Sequence, residues 1–334
     1  MNKKAGILGI GSYVPEKVID NFHFEEIMDT SDEWIKARTG ISERRMVDEN
    51  ETTSDLSTKA SLKAIECANL NPKDIDLIIV ATATPDMIFP PTACLVQDNI
   101  GATNAAAFDI SVACSGFIYA MTIAKQFVEN KTYKNVLVVG AETLSKVLDY
   151  DDRTTAILFG DGAGAVVIGE VNEGGILSTH LGSDGKGKDF LSIPAGGSKL
   201  PASKETVANK LHTIKMSGND VYKFAVRIMG EASLKALELA NLDADSIDYL
   251  IPHQANIRII EASAKRLKLS MDKVYVNLDK YGNMSAASVP VALDEAFKQG
   301  KINKGDNIVL VGFGGGLTWG ASVINWSIQG GKHE

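Results

Sequence analysis

The chain has 334 residues, of which 45% are hydrophobic and 23% charged, and its formal net charge is −8. This composition is typical of a globular protein, and the length allows a core large enough to hold a closed pocket. The acidic balance argues against a nucleic-acid binder, because neutralising phosphates requires a basic surface.

The N-terminus lacks the apolar segment and cleavage site of a signal peptide, and no run reaches the roughly 18 apolar residues of a membrane span. Cys67, Cys94 and Cys114 show neither a disulfide framework nor metal-ligand spacing. We therefore expect a cytoplasmic protein with no membrane association, no disulfide and no bound metal. Cys67 and Cys94 are predicted to be buried and structural.

The predicted elements alternate between helices and short apolar strands. In chain order they are helix 56–69, strand 77–82, helix 115–129, strands 136–140 and 163–169, helix 219–240, strand 249–252, helices 256–268 and 287–299, and strand 308–313. Strands that are apolar along their length predict sheets covered on both faces, and so a layered α/β fold. The segment 183–215, rich in Gly, Ser and Lys, is predicted to be an inserted loop over one edge.

A long-range repeat organises the chain. Three pairs of segments match at an offset of 172 residues: 60–70 with 232–242, 75–76 with 247–248, and 135–140 with 307–312. One offset shared by separated segments indicates duplication of a whole unit. We predict two related halves, residues 1–175 and 176–334, packed around a pseudo-twofold axis.

Cys114 is the predicted nucleophile. It follows a short strand that ends near Ile110, and a helical pattern begins immediately after it. The N-terminus of a helix stabilises an anion, so this position predicts a lowered thiol pKa. Gly116 allows the backbone to pass close to a substrate. A small buried residue at a helix cap is the structural alternative.

Two polar residues are predicted to meet this cysteine. His253 directly follows a buried strand, where open α/β sheets place catalytic groups. Asn283 lies in a polar loop, and the offset of 172 places it opposite Ser111. Taken singly, the histidine reads as structural and the asparagine as a turn residue. The repeat brings both to the end of the sheets that carries Cys114.

A glycine triplet, 314–316, follows the strand 308–313. Its amides, together with that of Cys114, are candidates for an oxyanion hole, which can accelerate a reaction about 100–1000-fold per donor. The same glycines also predict a tight hairpin into the last strand.

Together the motifs resemble those of the β-ketoacyl-[acyl-carrier-protein] synthase III family along nearly the whole chain. The matching segments are 32–45, 113–116, 253–258, 281–283 and 312–316. The resemblance implies a thiolase-like αβαβα fold of two pseudo-symmetric halves, a homodimer, and a triad of Cys114, His253 and Asn283. It implies acyl transfer from a short acyl-coenzyme A to Cys114, then decarboxylative condensation with a malonyl-carrier protein. No cofactor is implied beyond the coenzyme A thioester itself, and the primer's length and branching are left open.

The resemblance also assigns binding residues. It implies an oxyanion hole from the amides of Cys114 and Gly315, and an acyl pocket that Phe89 of the partner reaches. The implied coenzyme A contacts are Trp34, Arg38, Thr39, Arg153, Asn219 and Asn256, with Trp34 and Arg153 stacking on the adenine; the implied carrier-protein contacts are Arg258, Lys265 and Arg266. Met284 stands where the family has threonine, a departure that adjoins Asn283.

Other functions are weighed on the same residues. A thiolase needs a second active-site cysteine, and none follows Cys114. A hydroxymethylglutaryl-coenzyme A synthase needs a glutamate acid for which no motif is apparent, and a plant-type polyketide synthase usually has proline in the segment 314–316. A related condensing enzyme of specialised metabolism stays open, as does a binding protein in which Cys114 is structural.

Overall fold

The computed structural model describes residues 4–329; residues 1–3, which begin the N-terminal segment considered above, and residues 330–334 lie outside this range. The elements of the first half are β1 Lys4–Tyr13, β2 Val18–Asp20, α1 Asn21–Ile27, α2 Asp32–Thr39, β3 Glu43–Arg45, α3 Thr53–Cys67, β4 Leu77–Ala81, α4 Thr92–Ile100, β5 Ala106–Ile110, α5 Gly116–Glu129, β6 Val136–Thr143, α6 Arg153–Ala156 and β7 Asp161–Val171. Those of the second half are β8 Gly175–Ser183, β9 Leu191–Ser192, α7 Lys204–Ala208, β10 Lys215–Met216, α8 Gly218–Ala240, β11 Tyr249–Pro252, α9 Ile257–Arg266, α10 Leu278–Tyr281, α11 Ser288–Lys298, β12 Asn307–Gly314 and β13 Thr318–Asn325.

Two sheets form the frame, and their strand orders correspond. The first has the order β1-β7-β6-β4-β5 and the second the order β8-β13-β12-β11. In both, the central strand pairs in parallel on one side (β6 with β4, β12 with β11) and antiparallel on the other (β6 with β7, β12 with β13). The first sheet uses strands up to Val171 and the second begins at Gly175.

Helices cover both faces of each sheet, which makes five layers. α5 and α11 share one apolar core between the two sheets. α3 and α4 pack on the outer face of the first sheet, and α8 and α9 on the outer face of the second. β4 and β6 are buried along their whole length because helices lie on either side. The predicted layered αβαβα fold is confirmed.

The predicted elements recur with small shifts at their ends. The helices expected in 56–69, 115–129, 219–240, 256–268 and 287–299 correspond to α3, α5, α8, α9 and α11. Two expectations were wrong. Cys67 and Cys94 are half-buried, not buried, because Cys67 only borders the central apolar core and the Cys94 thiol lies beside the Ala107 carbonyl of β5. The segment 183–215 is no simple edge loop, since it folds into β9, α7 and β10, and its side chains reach the cavity described below.

The repeat also relates two tight turns. The single helical turn Ala113–Ser115 precedes α5, and Ser285–Ala287, 172 residues later, precedes α11. Ala113 and Ser285 both have left-handed backbone angles, with φ of 47° and 44°. Such angles are uncommon for residues other than glycine and mark positions where the fold demands a sharp change of direction. The two turns approach one another between the sheets.

No helix within residues 4–329 combines the length and apolar character needed to cross a membrane. Over the same range, His, Cys, Asp and Glu side chains form no group of three or more that could hold a metal ion.

Candidate active site

Cys114 lies in the middle of the turn between β5 and α5 and is 6% exposed. The left-handed angle at Ala113 lets the chain reverse within three residues, so that the thiol projects from the end of the sheet. Ser115 secures the turn, because its hydroxyl donates to the Val112 carbonyl at 3.0 Å and contacts the Thr318 hydroxyl at 2.8 Å. The nucleophile is thus held by both halves of the chain.

The predicted lowering of the Cys114 pKa was wrong for the free protein. Burial raises the pKa of this thiol to about 12, although a hydrogen bond with Ser285 acts in the opposite direction. Removal of the sulfur from water outweighs the favourable end of α5. The resting cysteine is a neutral thiol, and its negative charge has to be stabilised as the reaction proceeds.

His253 follows β11 directly, and its amide donates to the Val311 carbonyl at 2.7 Å. The ring packs edge-on against Phe313, with centroids 5.7 Å apart. Burial lowers the pKa of His253 to about 3, so the imidazole is neutral. Its Nδ1 is buried and has no partner among the described residues. A proton there would be a donor without an acceptor, so we assign the proton to Nε2, the nitrogen left for the cavity.

Asn283 is fixed at the mouth of the second turn. Its backbone pairs with the chain beside it, since its amide donates to Leu158 at 2.9 Å and its carbonyl accepts from Gly160 at 3.0 Å. Its side-chain oxygen accepts from the Ser285 amide at 2.8 Å. Because the oxygen is occupied, the amide nitrogen is the group that Asn283 presents as a donor.

Met284 does not disturb this arrangement. Its side chain is fully buried among Val14, Tyr281, Ala287 and Val291, away from the cavity that Asn283 lines. Its amide donates to the Ser288 hydroxyl at 3.0 Å. Methionine in place of threonine is therefore accommodated by apolar packing, outside the cavity.

The glycine loop lies directly against the nucleophile's turn. A Cβ at Gly314 would lie 2.6 Å from the Cys114 amide nitrogen, and one at Gly315 would lie 2.9 Å from the Leu191 carbonyl oxygen. Both distances are too short for a side chain. The hairpin into β13 is confirmed by the pairing of Gly314 with Thr318. Only glycine lets this loop approach the turn, which is the requirement of an oxyanion hole built from backbone amides.

The three predicted triad residues line one cavity of about 180 Å³, together with Phe313, Asn256 and Tyr222. A second, mainly apolar cavity of about 110 Å³ also reaches Cys114. Its remaining walls include Leu144, Leu191, Ile193, Ile214, Ser285 and Gly315. Cys114 therefore lies where two cavities meet, one leading past polar residues and one lined by aliphatic side chains.

Trp34, Arg38 and Arg153 form a cluster on the surface. The Arg153 and Arg38 guanidinium groups lie 5.3 Å and 5.6 Å from the centre of the Trp34 ring. Arg153 also donates to the Asp29 carbonyl. A base between Trp34 and Arg153 needs about 7 Å, twice a contact of about 3.5 Å. The exposed Arg153 side chain therefore has to move aside if an adenine is to enter.

The other residues assigned to coenzyme A are placed differently from one another. Thr39 is buried, and its hydroxyl donates to Ile35 and accepts from Ile41, which is unfavourable for a contact with a ligand. Asn219 is exposed in the first turn of α8. The Asn256 side chain caps α9 and donates to the Arg38 carbonyl at 2.9 Å, so it joins α2 to the cavity wall.

Arg258, Lys265 and Arg266 all project from α9 and are exposed. Arg258 donates to the Ala37 carbonyl at 2.8 Å, and Arg266 pairs with Glu231 at 3.1 Å. Lys265 has no ion pair among residues 4–329, so it is the cation of this group most available to an acidic partner.

Phe89 and Ile88 are the most exposed large apolar side chains of the described chain, at 82% and 83%. Together with Met87 they form an exposed apolar loop, whose side chains are not buried in the chain's own core. Exposure of this kind marks an interaction surface.

Several residues of the site were not predicted from the sequence. Leu191, Ile193 and Ile214 come from the segment 183–215, which was expected to be an edge loop. Ser285 lines the apolar cavity together with Cys114, and the charge of Glu142 raises the pKa of the Cys114 thiol. The repeat carried a signal for Glu142, since adding the offset of 172 places it opposite Gly314 in the glycine loop.

Comparison with known proteins gives consistent results over the whole chain. Residues 108–185 match the family model described as 3-oxoacyl-[acyl-carrier-protein] synthase III, and residues 237–326 match that of its C-terminal part. A beta-ketoacyl-[acyl-carrier-protein] synthase III of Clostridioides difficile is 74% identical over 98% of this chain and 100% of its own.

Solved structures are also similar to this chain along nearly its whole length. The 3-oxoacyl-[acyl-carrier-protein] synthase III of Aquifex aeolicus is 47% identical, with a TM-score of 0.89 over 97% of this chain and 100% of its own. The priming beta-ketosynthase of the R1128 polyketide pathway is 35% identical, with a TM-score of 0.90 over 98% and 97%.

Proposed function

Since this chain belongs to the 3-oxoacyl-[acyl-carrier-protein] synthase III family, we propose that Cys114 takes a short acyl group from coenzyme A and delivers it to a malonyl-carrier protein. The enzyme is a condensing acyltransferase that initiates fatty-acid synthesis. The observation that carries the assignment of residues is the meeting of Cys114, His253 and Asn283 on the wall of one cavity.

Acyl transfer begins with attack of the Cys114 sulfur on the thioester carbonyl. A new sulfur–carbon bond forms, and the oxygen that becomes negative is held by the Cys114 and Gly315 amides. The bond to the coenzyme A sulfur then breaks. The proton that Cys114 loses ends on the coenzyme A sulfur, so the step is balanced without a cofactor.

Condensation begins when the malonyl thioester loses CO₂. The electrons of the broken carbon–carbon bond form an enolate, whose oxygen is stabilised by donors. His253 Nε2 and the Asn283 side-chain nitrogen supply these donors, because one is protonated and the other has its oxygen occupied. The enolate carbon attacks the acyl group on Cys114, and the sulfur leaves with the electron pair. The sulfur then takes up one proton from solvent, which restores the resting thiol. The products are a 3-oxoacyl-carrier protein, coenzyme A and CO₂.

The apolar cavity supports a short primer. Its volume of about 110 Å³ corresponds to three or four groups of the size of water, at roughly 30 Å³ each. The exposed Phe89 loop supports a homodimer in which this residue reaches the partner's acyl pocket. A monomeric mass in sedimentation equilibrium would count against that arrangement. We also propose a cytoplasmic location, in agreement with three unpaired cysteines.

The surface contacts are proposed on the same basis. The cavity that leads past Asn256 and Gly218 toward Asn219 is proposed to admit the pantetheine arm of coenzyme A. Trp34, Arg38 and Arg153 are proposed to hold the nucleotide. The exposed cations of α9 are proposed to receive the acidic carrier protein. Residues 1–175 and 176–334 are proposed as the two structural units.

The proposed function is tested by detecting a covalent acyl group on the protein. Incubation with acetyl-coenzyme A is expected to add one acyl mass to the protein, on the peptide that contains Cys114, as read by intact-protein and peptide mass spectrometry. Cys114→Ala is expected to take up no acyl group, and Cys94→Ala, a half-buried cysteine elsewhere, to take up as much as the parent. If no short acyl-coenzyme A leaves an adduct, the covalent mechanism is wrong.

Specialised metabolism is the second candidate, because the R1128 priming ketosynthase shares the fold at a TM-score of 0.90. The identity of 74% to a whole-length relative of the fatty-acid class favours the first. A panel of acyl-coenzyme A primers with one malonyl-carrier protein in a coupled assay distinguishes them and identifies the primer.

A further inference from the structure

Arg44, in β3, is a completely buried cation that the mechanism above does not use. It makes no ion pair within residues 4–329, and its guanidinium group packs over the Phe24 ring at 4.6 Å from the ring centre. Burial lowers the pKa of Arg44 to about 10, so the side chain stays protonated at neutral pH. Burying a charge without a carboxylate partner is costly unless its hydrogen bonds compensate, so the acceptors of Arg44 indicate what it holds in place.

The guanidinium group of Arg44 donates to two segments that are far apart in the chain. One terminal nitrogen donates to the Asn21 side-chain oxygen at 2.9 Å and to the Ile19 carbonyl at 3.3 Å, and the other donates to the Ile157 carbonyl at 2.6 Å. Asn21 begins α1, and Ile157 directly follows α6. Because the guanidinium group is planar and its nitrogens are fixed relative to each other, it sets the distance between these acceptors.

Asn21 extends this connection to α2. Its side-chain nitrogen donates to the Asp32 carboxylate at 2.9 Å and to the Ile41 carbonyl at 2.8 Å. Asp32 is the first residue of α2, and Ile41 lies two residues beyond its last residue, Thr39. The amide orientation follows from these partners, since only this one directs donors at acceptors. One fully buried side chain therefore holds both ends of α2 and presents its oxygen to Arg44. We call this connection, from α2 through Asn21 and Arg44 to the end of α6, the Arg44 bridge.

The two helices joined in this way carry the surface cluster described above. α2 contains Trp34 and Arg38, and α6 begins with Arg153. A further link between them is the Arg153 side chain itself, which donates to the Asp29 carbonyl ahead of α2. An adenine enters between Trp34 and Arg153 only after that side chain has moved aside, so this link is lost when the site is used. The hydrogen bonds of the Arg44 bridge do not depend on it and remain.

We propose that Arg44 is a positioning residue for the nucleotide of coenzyme A, which fixes the separation of α2 and α6 and so holds Trp34 opposite Arg153 as the adenine enters. Arg44 is buried beneath the surface cluster and does not touch the ligand. It acts through Asn21 on one side and the Ile157 carbonyl on the other. Walls that are fixed in advance reduce the ordering that binding would otherwise require. The inference rests on the proposed binding of coenzyme A by this cluster.

Arg44→Lys is the variant that removes the bridge and least else. A lysine keeps the charge and the aliphatic stem, but its single ammonium group does not reproduce the planar fork that spans two acceptors. The stem has its own contacts, since a Cβ at Gly160 would lie 3.1 Å from the Arg44 Cβ and one at Gly282 would lie 3.4 Å from it. Gly160 pairs with the Asn283 carbonyl, so keeping the stem preserves the support of that residue. Arg45→Lys is the matched control, because it makes the same exchange at the next position of β3, on the opposite face of the strand.

The first test needs no substrate and reports on the surroundings of Trp34. Quenching of Trp34 fluorescence by acrylamide, a neutral quencher, is measured as the difference between each protein and the same protein carrying Trp34→Phe. Arg44→Lys is expected to raise the quenching constant, because α2 and α6 separate and the ring loses the cover of Arg153. Arg45→Lys is expected to leave the constant unchanged. An unchanged constant in a folded Arg44→Lys overturns the proposal.

The second test compares acetyl-coenzyme A with acetyl-pantetheine, which has the same reacting group and lacks the nucleotide. In Arg44→Lys, KM for acylation by acetyl-coenzyme A is expected to rise about tenfold with kcat unchanged, the effect of one hydrogen bond to a charged group. For acetyl-pantetheine, kcat/KM is expected to stay within about twofold of the parent. Equal losses with both thioesters would indicate a merely structural role and overturn the proposal. Arg44→Lys is also expected to add little to the effect of Trp34→Ala, because both act on one contact; fully additive effects overturn it as well.

A second variant covers the case in which Arg44→Lys does not fold. Asn21→Asp keeps the acceptor for Arg44 and removes the donors to Asp32 and Ile41, so it releases α2 and is judged by the same results. If neither thioester acylates Cys114, the proposed function is rejected, and calorimetric binding of free coenzyme A then decides the role of the bridge. Binding that Arg44→Lys weakens about tenfold supports the proposal. Equal binding by the variant and the parent, or none by the parent, overturns it.

Discussion

Gly314→Ala places one methyl group against the nucleophile's own amide. The added Cβ would lie 2.6 Å from the Cys114 nitrogen and 3.2 Å from its Cβ. A contact of 2.6 Å between backbone and a methyl group is not tolerated, so the turn or the loop has to shift by several tenths of an ångström. The amides of Cys114 and Gly315 would then no longer converge on one oxygen.

The magnitude follows from the role of these donors. Loss of one oxyanion-hole donor costs about 100–1000-fold, or roughly 2.7–4 kcal/mol in the transition state. Overpacking by one methyl group costs a further 1–3 kcal/mol or so of folding stability. Since the donors act on charge that appears only in the transition state, kcat and kcat/KM are expected to fall together while KM for acyl-coenzyme A stays nearly constant.

The assay is acylation of the enzyme in quenched-flow samples analysed by intact-protein mass spectrometry, with thermal unfolding recorded alongside. Gly185→Ala is the matched control, because no atom lies within 4 Å of the Cβ that it would add. It is expected to acylate at the parent rate. A folded Gly314→Ala that acylates within about threefold of the parent would refute the assignment of the oxyanion hole.

Two more predictions test the remaining parts of the site. Asn283→Ala is expected to keep acylation of Cys114 but to lose about 100-fold in malonyl decarboxylation, since it removes a donor to the enolate; unchanged CO₂ release would contradict this role. Lys265→Glu is expected to raise KM for the malonyl-carrier protein roughly five- to tenfold and to leave KM for acyl-coenzyme A unchanged, whereas Lys73→Glu, an exposed charge ahead of β4, is expected to change neither. Equal effects of Lys265→Glu on both KM values would argue against the docking face.

The neutral state of the resting site changes how the chemistry is understood. A lowered pKa was expected for Cys114 from its position before α5, and the structure raises it to about 12. Position along the chain reveals the helix end, but it does not reveal how completely the sulfur is removed from water. Desolvation depends on side chains such as Leu191 and Phe159, which belong to distant segments. Stabilisation of the thiolate is therefore required of the active site during the reaction.

The predicted binding residues also divide into those whose surroundings agree with a contact to a ligand and those whose surroundings do not. The family resemblance pairs Trp34 with Arg153, and the Arg153 guanidinium group lies 5.3 Å from the centre of the Trp34 ring. Thr39 was grouped with them, yet it is buried and its hydroxyl closes the end of α2. Adjacent positions in a helix face different directions, so a motif does not by itself tell which of its side chains reaches a ligand.

The sequence by itself determined the layered fold and the repeat, and it singled out Cys114, His253 and Asn283 as candidates for the site. Apolar strands between amphipathic helices demand covered sheets, and one offset of 172 residues relates the turn of Cys114 to that of Ser285. Only the tertiary structure decided which atoms meet. The burial of Cys114 and His253 and the wall built by the segment 183–215 both depend on packing between distant parts of the chain. Such contacts depend on distances between segments that are far apart in the chain, and local sequence patterns carry no information about these distances.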